Sequence, residues 1–302
     1  MIGALMISLL AGCAAFERKA PPEAAPPATL VRAEDYMISA AHPLAAEAGR
    51  SILAGGGSAV DAAIAAQLML TLVEPQSSGI GGGGFLLHYD AKKRKLIAYD
   101  GRETAPASAR PGMFLDADRK PKGFEDAVGG GLSVGVPGLV RMLALAHKDA
   151  GVLPWADLFA PAIALAEQGF PVSPRLHQAI TGDKDLKTFA APAGYFYDRN
   201  GEPLPPGVML RNPDLAATLR AIAEGGSPAF YSGPIAADIA RAVTTASRNP
   251  AAMTRADIAG YRAIRREPVC LDYRARRVCG MPPPSSGGIT TLQILGLLRG
   301  FD

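Results

Sequence analysis

The chain has 302 residues, 48% of them hydrophobic and 20% charged, a composition that supports a sizeable core and excludes an intrinsically disordered chain. Its net charge of +3 is too small to argue for a nucleic-acid surface or for electrostatic binding to anionic lipid. No apolar run approaches the ~18 residues that span a bilayer.

The N-terminus reads as an address. A short apolar run from Ile2 to Leu10 leads into Leu10-Ala11-Gly12-Cys13. An apolar stretch ending in small residues is the pattern of an export signal. The four residues also resemble the bacterial lipobox, whose cysteine is lipidated. No Lys or Arg precedes the run, so the basic segment of such a signal is missing here, and the expected start lies upstream of Met1. The expected organisation is an export signal over 1–13, a Pro/Ala-rich tether over 14–30, and the folded part over 31–302. The expected location is the bacterial periplasm, with the membrane reached only through lipid on Cys13.

Helix punctuation follows. His42-Pro43 introduces an Ala-rich helix over 44–53, closed by Gly55-Gly56-Gly57. Ser58 with Asp61 three residues on starts a second helix, "AVDAAIAAQLMLTLV", apolar nearly all round and so deeply buried. Pro75 ends it. "FLLHYD" and "KLIAYD", separated by Ala91-Lys92-Lys93-Arg94, read as a β-hairpin. Pro137 opens a helix closed by Gly151. Asn212-Pro213 opens another that runs to Gly226. Ser232-Gly233-Pro234 and Thr254 with Asp257 open two more. The strands pair as hairpins and do not alternate with helices as β-α-β units.

Between the buried helix and the hairpin lies "SSGIGGGGF", where Gly79, Gly81 and Gly84 have the spacing G-x-G-x-x-G. A dinucleotide turn must follow a strand and open a helix, so that the phosphate meets the helix N-terminus. Here the order is helix, glycine loop, strand, which argues against a nucleotide. The remaining reason for such glycines is close approach of backbone.

Other residues with chemistry are sparse. His42, His88, His147 and His177 have no metal-ligand spacing. The arginines from Arg262 to Arg277 lack interleaved aromatics beyond Tyr261 and Tyr273 and read as a solvated face. Arg102, in "YDGRETAP", offers a planar fork suited to a carboxylate, but Asp100 and Glu103 flank it, as in an ordinary ion-pair cluster. With Cys13 set aside for lipid, Cys270 and Cys279 remain. A two-residue loop at Arg274-Ala275 would place them directly opposite each other. A disulfide is then open to the chain in an oxidising compartment, although opposed pairs often stay unbonded.

Six stretches together resemble one family. They are "GGSAVDAAIAAQLMLTLVEPQSSGIGGGGFLLHYD", "DGRETAPASARPGMFLD", "SVGVPGLV", "GVLPWADLFAPAIALAEQGFPV", "MTRADIAGYRAIRREPV" and "MPPPSSGG". In this order they resemble the γ-glutamyltransferases (glutathione hydrolases), which are N-terminal-nucleophile hydrolases. The resemblance implies an α+β fold, the four-layer αββα sandwich, incomplete in this chain and mostly helical with β-hairpins. It implies a precursor that cuts itself into a large and a small chain, and it implies no cofactor. The small chain's first residue is a Thr whose hydroxyl attacks the γ-glutamyl carbonyl, with its own α-amine as base. The acyl group then passes to water or to an amino-acid or peptide acceptor. Arg102 matches the family's R-E-x-A-P arginine, which binds the α-carboxylate of the γ-glutamyl group in substrates such as glutathione.

The departure lies downstream. The family's nucleophile stands in T-[TS]-H-x-S beyond P-P-P-S-S-G-G, and no such stretch occurs in these 302 residues. Thr290-Thr291 runs into an apolar helical pattern, and Thr244-Thr245 falls within a predicted helix. The expectation is the N-terminal portion of a longer enzyme, ending before its nucleophile and inactive alone. Such a piece, lacking its small-subunit partner, should expose apolar surface. A cephalosporin or glutaryl acylase of the same superfamily, and a non-catalytic lipoprotein that binds γ-glutamyl compounds, are the rival readings.

Overall fold

Short-range signals set most helix starts in the computed structural model, which describes residues 32–301. His42 Nδ1 accepts from the Leu44 amide at 3.2 Å, and Pro43 occupies the first turn of α1 (Pro43–Ala54). Ser58 and Asp61 cap each other's amides, at 2.8 and 3.1 Å, and start α2 (Ala59–Val73). Ile64, Leu68 and Leu72 of α2 are almost fully buried. Each contributes about 1.5–3 kcal/mol through burial. The predicted central position of this helix follows from its having no polar stripe to turn outward.

Next comes the antiparallel hairpin β1 (Phe85–Asp90) and β2 (Lys95–Asp100), with Phe85 opposite Asp100 and Asp90 opposite Lys95. A short α3 (Phe124–Val128) leads to α4 (Leu139–Ala150). The latter starts two residues later than Pro137 suggests. Its first amides are satisfied from a distance: Gly138 N and Leu139 N donate to the Gly82 carbonyl at 2.9 and 3.1 Å. A tertiary carbonyl does what a capping side chain does elsewhere.

A 3₁₀ turn (Trp155–Phe159) feeds α5 (Ala160–Gln168), followed by β3 (Phe170–Pro171), α6 (Pro174–Gly182), α7 (Ala190–Phe196) and β4 (Met209–Leu210). Asn212 caps α8 (Pro213–Tyr231) through the Leu215 amide at 2.9 Å. Regular helix stops at Gly226, whose φ of 65° breaks the ladder, and one more turn runs on to Tyr231. α9 (Gly233–Thr244) and α10 (Arg255–Gly260) follow, the second opened by the predicted Thr254–Asp257 capping box.

β5 (Ile264–Arg266) then joins the far edge of β2, giving the order β1-β2-β5. β6 (Val269–Tyr273) and β7 (Arg276–Gly280) form a hairpin around Arg274-Ala275, with Arg274 at φ 51°. Its register sets Cys270 opposite Cys279, and the two are bonded as a disulfide. α11 (Gly287–Leu298) packs on this hairpin.

The architecture is α+β, mostly helical, with the strands among the described residues in three small antiparallel sheets. The main core gathers α2, α4, the 3₁₀ turn, α5 and α8 behind the first hairpin. α11 buries none of its residues, and Ile294, Leu297 and Phe301 are exposed, as are Leu87 and Tyr89 on β1. This is the apolar surface expected above. Among the described residues no helix is long and apolar enough to cross a membrane. Cys13, with the whole export signal over 1–13 and the tether over 14–30, lies outside the described residues.

Candidate functional site

Arg102 sits two residues beyond the end of β2, on a segment fastened along its backbone. Gly84 and Gly101 exchange amide–carbonyl bonds at 3.2 and 3.0 Å, which extends the hairpin past its last strand residue. The Arg102 amide donates to Asp100 Oδ1 at 2.8 Å, and the Tyr261 hydroxyl donates to the Arg102 carbonyl at 2.7 Å. Burial, helped by the nearby charges of Asp100 and Glu103, pushes the Tyr261 phenol up to about 12, so it stays protonated and donating.

The side chain is presented outward. Arg102 is 63% exposed, and its Nε lies 3.4 Å from Glu103 Oε2. Asp100 is not its ion partner. That buried carboxylate spends Oδ2 on Arg266 Nε at 2.7 Å and Oδ1 on the Arg102 backbone. The flanking-acid cluster read from the sequence therefore splits. Asp100 is structural, and the guanidinium is left with Glu103 alone among the described acidic residues. Glu103 Oε2 is itself buried without a hydrogen-bond donor.

The glycine loop packs against this segment. A Cβ on Gly83 would stand 2.5 Å from the Gly101 carbonyl and 2.7 Å from Glu103 Oε2. At the helix N-terminus next to the loop, that of α4, the Gly138 and Leu139 amides are taken by the Gly82 carbonyl. Gly83 thus serves backbone approach, the role expected of the loop, whereas a Cβ on Gly79 or Gly81 would meet nothing within 4 Å. A cavity of about 350 Å³ lies along the loop, lined by Gln67, Ser77, Ser78, Gly83 and Glu103 among others.

Of the other singled-out residues, Arg266 meets this cluster through Asp100 and Tyr261 through the Arg102 carbonyl. Arg265 and Arg266, predicted to be solvated, pair with Asp149 and Asp100 and tie β5 to the body. His42 caps α1, His147 Nε2 lies 2.9 Å from the Leu153 carbonyl, and His177 Nδ1 lies 2.9 Å from the Leu204 carbonyl. Thr290 and Thr291 lie inside α11, with the Thr290 amide bonded to the Ser286 carbonyl at 2.9 Å. Thr244 ends α9 and Thr245 caps it. The contacts of Tyr261 and Arg266 with this segment were not legible beforehand, because both stand some 160 residues away in the chain.

The sequence as a whole matches the family described as Gamma-glutamyltranspeptidase over residues 45–302. The glutathione hydrolase proenzyme of Bacillus subtilis (strain 168) is 40% identical over 301 residues, covering 99% of this chain and 51% of that protein. The Acylase ACY 1 proenzyme of Pseudomonas sp. (strain V22) is 38% identical over 274 residues, 88% of this chain and 48% of that one. The crystal structure of Helicobacter pylori gamma-glutamyltranspeptidase superposes with a TM-score of 0.85 at 32% identity, covering 90% of this chain and 77% of that chain. The chain spans about half the length of the curated relatives it matches. With a family match across most of its length and a shared fold, the chain belongs to the gamma-glutamyltranspeptidase family.

Proposed function

We propose that this chain is the substrate-gripping portion of an enzyme that cleaves γ-glutamyl amides, glutathione among them, through a γ-glutamyl-enzyme. In this reading a Thr hydroxyl, supplied by sequence outside these 302 residues, attacks the γ-carbonyl. The amine leaves with a proton, and the resulting ester is opened by water or by an amino-acid or peptide amine. Arg102 holds the α-carboxylate by its planar fork. The observation that carries this role is the arrangement of Arg102 itself: backbone fixed at both amide and carbonyl, side chain outward, and its flanking Asp100 engaged elsewhere. Fixing the backbone restricts where the guanidinium can go before substrate arrives.

The same reading makes the 302-residue chain inactive alone, and gives the parent enzyme a periplasmic location through lipid on Cys13. The test compares the full-length gene product, its Arg102→Gln variant and the 302-residue chain on a chromogenic γ-glutamyl anilide. The reading requires activity in the first, a rise in KM of about 100-fold or more in the second, and none in the third. Unchanged KM in Arg102→Gln removes Arg102 from the site. Hydrolysis by the 302-residue chain removes the missing-nucleophile account.

The acylase relative favours the rival reading, a cephalosporin or glutaryl acylase; in that reading the acyl group is a glutaryl-type chain. A glutaryl anilide keeps the distal carboxylate that Arg102 would hold and lacks only the α-amine of glutamate. Full-length enzyme that turns it over faster than the γ-glutamyl anilide is an acylase.

A further inference from the structure

Arg141, on α4, lies far along the chain from Arg102 and carries a charge without an acidic partner among the described residues. Its Nη1 donates to Ser227 Oγ at 3.1 Å, and its guanidinium carbon stands 4.4 Å from the centre of the Tyr231 ring. Its Nε is buried and meets no acceptor. Where arginines of this chain grip carboxylates side-on they use Nε and Nη2: Arg265 holds Asp149 this way, at 2.6 Å for each bond. In Arg141 that edge has nothing to hold.

The surroundings add positive charge. Arg141, Ser227, Lys148 and Arg262 line one cavity of about 400 Å³, and no Asp or Glu lines it. Arg262 Nη1 is fixed by the carbonyls of Ala259 and Tyr261, at 2.9 and 2.8 Å, so its fork is held in place without being neutralised. Asp149, next to Lys148, is already engaged by Arg265 and by the Tyr99 hydroxyl. Ser227 Oγ accepts from Arg141, which leaves its O–H free to donate. Three cations around one cavity repel one another, and a buried guanidinium without a counter-ion is costly. Burial, with Arg262 close by, lowers the Arg141 pKa from its ordinary value in spite of Tyr231.

We propose that this cavity binds a small oxyanion of the phosphate or carboxylate class, seated between Arg141, Lys148 and Arg262 with the Ser227 hydroxyl as a further donor. The anion supplies the countercharge that the fold withholds. Because Lys148 and Arg262 are exposed, binding weakens as salt rises.

The test is calorimetric titration of the purified full-length gene product with inorganic phosphate and, separately, with succinate, at constant ionic strength in chloride. The expected result is a Kd of about 1 mM or tighter for at least one of them. Arg141→Met abolishes it, Lys148→Glu weakens it about tenfold, and Arg220→Gln, which disturbs only the remote pair with Glu167, leaves it unchanged. Arg141→Met removes an unpaired charge, so its melting temperature without anion is equal or higher, and lost binding is not lost folding. Binding of phosphate alone assigns a phosphorylated ligand, of succinate alone a carboxylate, and of both a site that does not distinguish them. No heat beyond that of chloride for either anion, or binding that survives Arg141→Met, overturns the proposal.

Discussion

The hydroxyl of Tyr261 donates to the carbonyl of Arg102 at 2.7 Å, joining the turn after α10 to the residue that leaves the first hairpin. Tyr261 is buried and its ring stacks on that of Tyr231, with centroids 6.0 Å apart. The phenol is therefore held by packing, and its hydrogen bond fixes the backbone from which the Arg102 side chain projects.

Removing that hydroxyl with Tyr261→Phe leaves the Arg102 carbonyl without its donor and costs about 1–2 kcal/mol of stability by denaturant unfolding. In the full-length enzyme it should raise KM for a γ-glutamyl anilide more than it lowers kcat, since the catalytic groups are untouched. The buried phenol also has a pH signature. Burial, with the charges of Asp100 and Glu103, holds its folded pKa at about 12, above the ordinary value near 10, so its contribution to stability is complete below about pH 10 and is lost as pH rises toward 12. Tyr261→Phe should reduce the alkaline loss of stability. An identical alkaline limb in wild type and variant contradicts this.

The glycine loop gives a paired prediction. Gly83→Ala forces a methyl to within 2.5 Å of the Gly101 carbonyl, a backbone atom that cannot swing aside. It should cost about 1–3 kcal/mol. At Gly82 the nearest atom to a new Cβ is Glu103 Oε1, at 3.4 Å, and Gly82→Ala should cost far less. Urea midpoints that rank the two variants the other way would show that the loop is not packed as described.

Asp61 shows the same logic in the core. Its Oδ2 accepts from the amides of Ser58, Val152 and Leu153, at 2.8, 2.9 and 3.1 Å. Burial acts to raise its pKa, but these bonds together outweigh it and the pKa is lowered. A lowered folded pKa means stability that is present above the unfolded value near 4 and is lost as pH falls through the folded one. Asp61→Ala, which strands three donors, should cost about 2–4 kcal/mol at neutral pH, and the gap to wild type should narrow in acid. Unfolding curves at pH 7 and pH 3 measure both.

The Cys270–Cys279 disulfide closes a small loop, with a sequence separation of nine, in the hairpin that supports α11. Loop-closure entropy predicts a loss of about 2–3 kcal/mol on reduction or in the double Cys→Ser variant. Hydrogen exchange should locate the effect in β6, β7 and α11 and leave α2 protected. Uniform loss of protection would mean that the hairpin is not a separable unit.

The readable parts were those whose cause lies within a few residues. The Ser58–Asp61 and Thr254–Asp257 boxes, the Asn212 cap and the register of both long hairpins are such cases. The position of α4 was misjudged by two residues because its cap comes from Gly82, over fifty positions earlier. The candidate site divides along the same line. Residue type and spacing bring out Arg102 but leave it inside an acidic cluster; within the sequence only the resemblance to a family gives it a ligand role, and the structure then takes Asp100 out of the cluster.

By itself the sequence determined the capped starts of α1, α2, α8 and α10, the buried character of α2, the helix–glycine loop–strand order and the facing of Cys270 and Cys279. These follow from side-chain periodicity, capping chemistry and hairpin register, all of which act over a turn or a strand pair. Only the tertiary structure decided that Asp100 serves Arg266, that Tyr261 holds the Arg102 carbonyl, and that Arg141, Lys148 and Arg262 share a cavity without a carboxylate. Helical neighbours such as Arg50 and Glu47 pair by spacing, but the pairing of Arg266 with Asp100 is settled by which groups packing brings within about 4 Å.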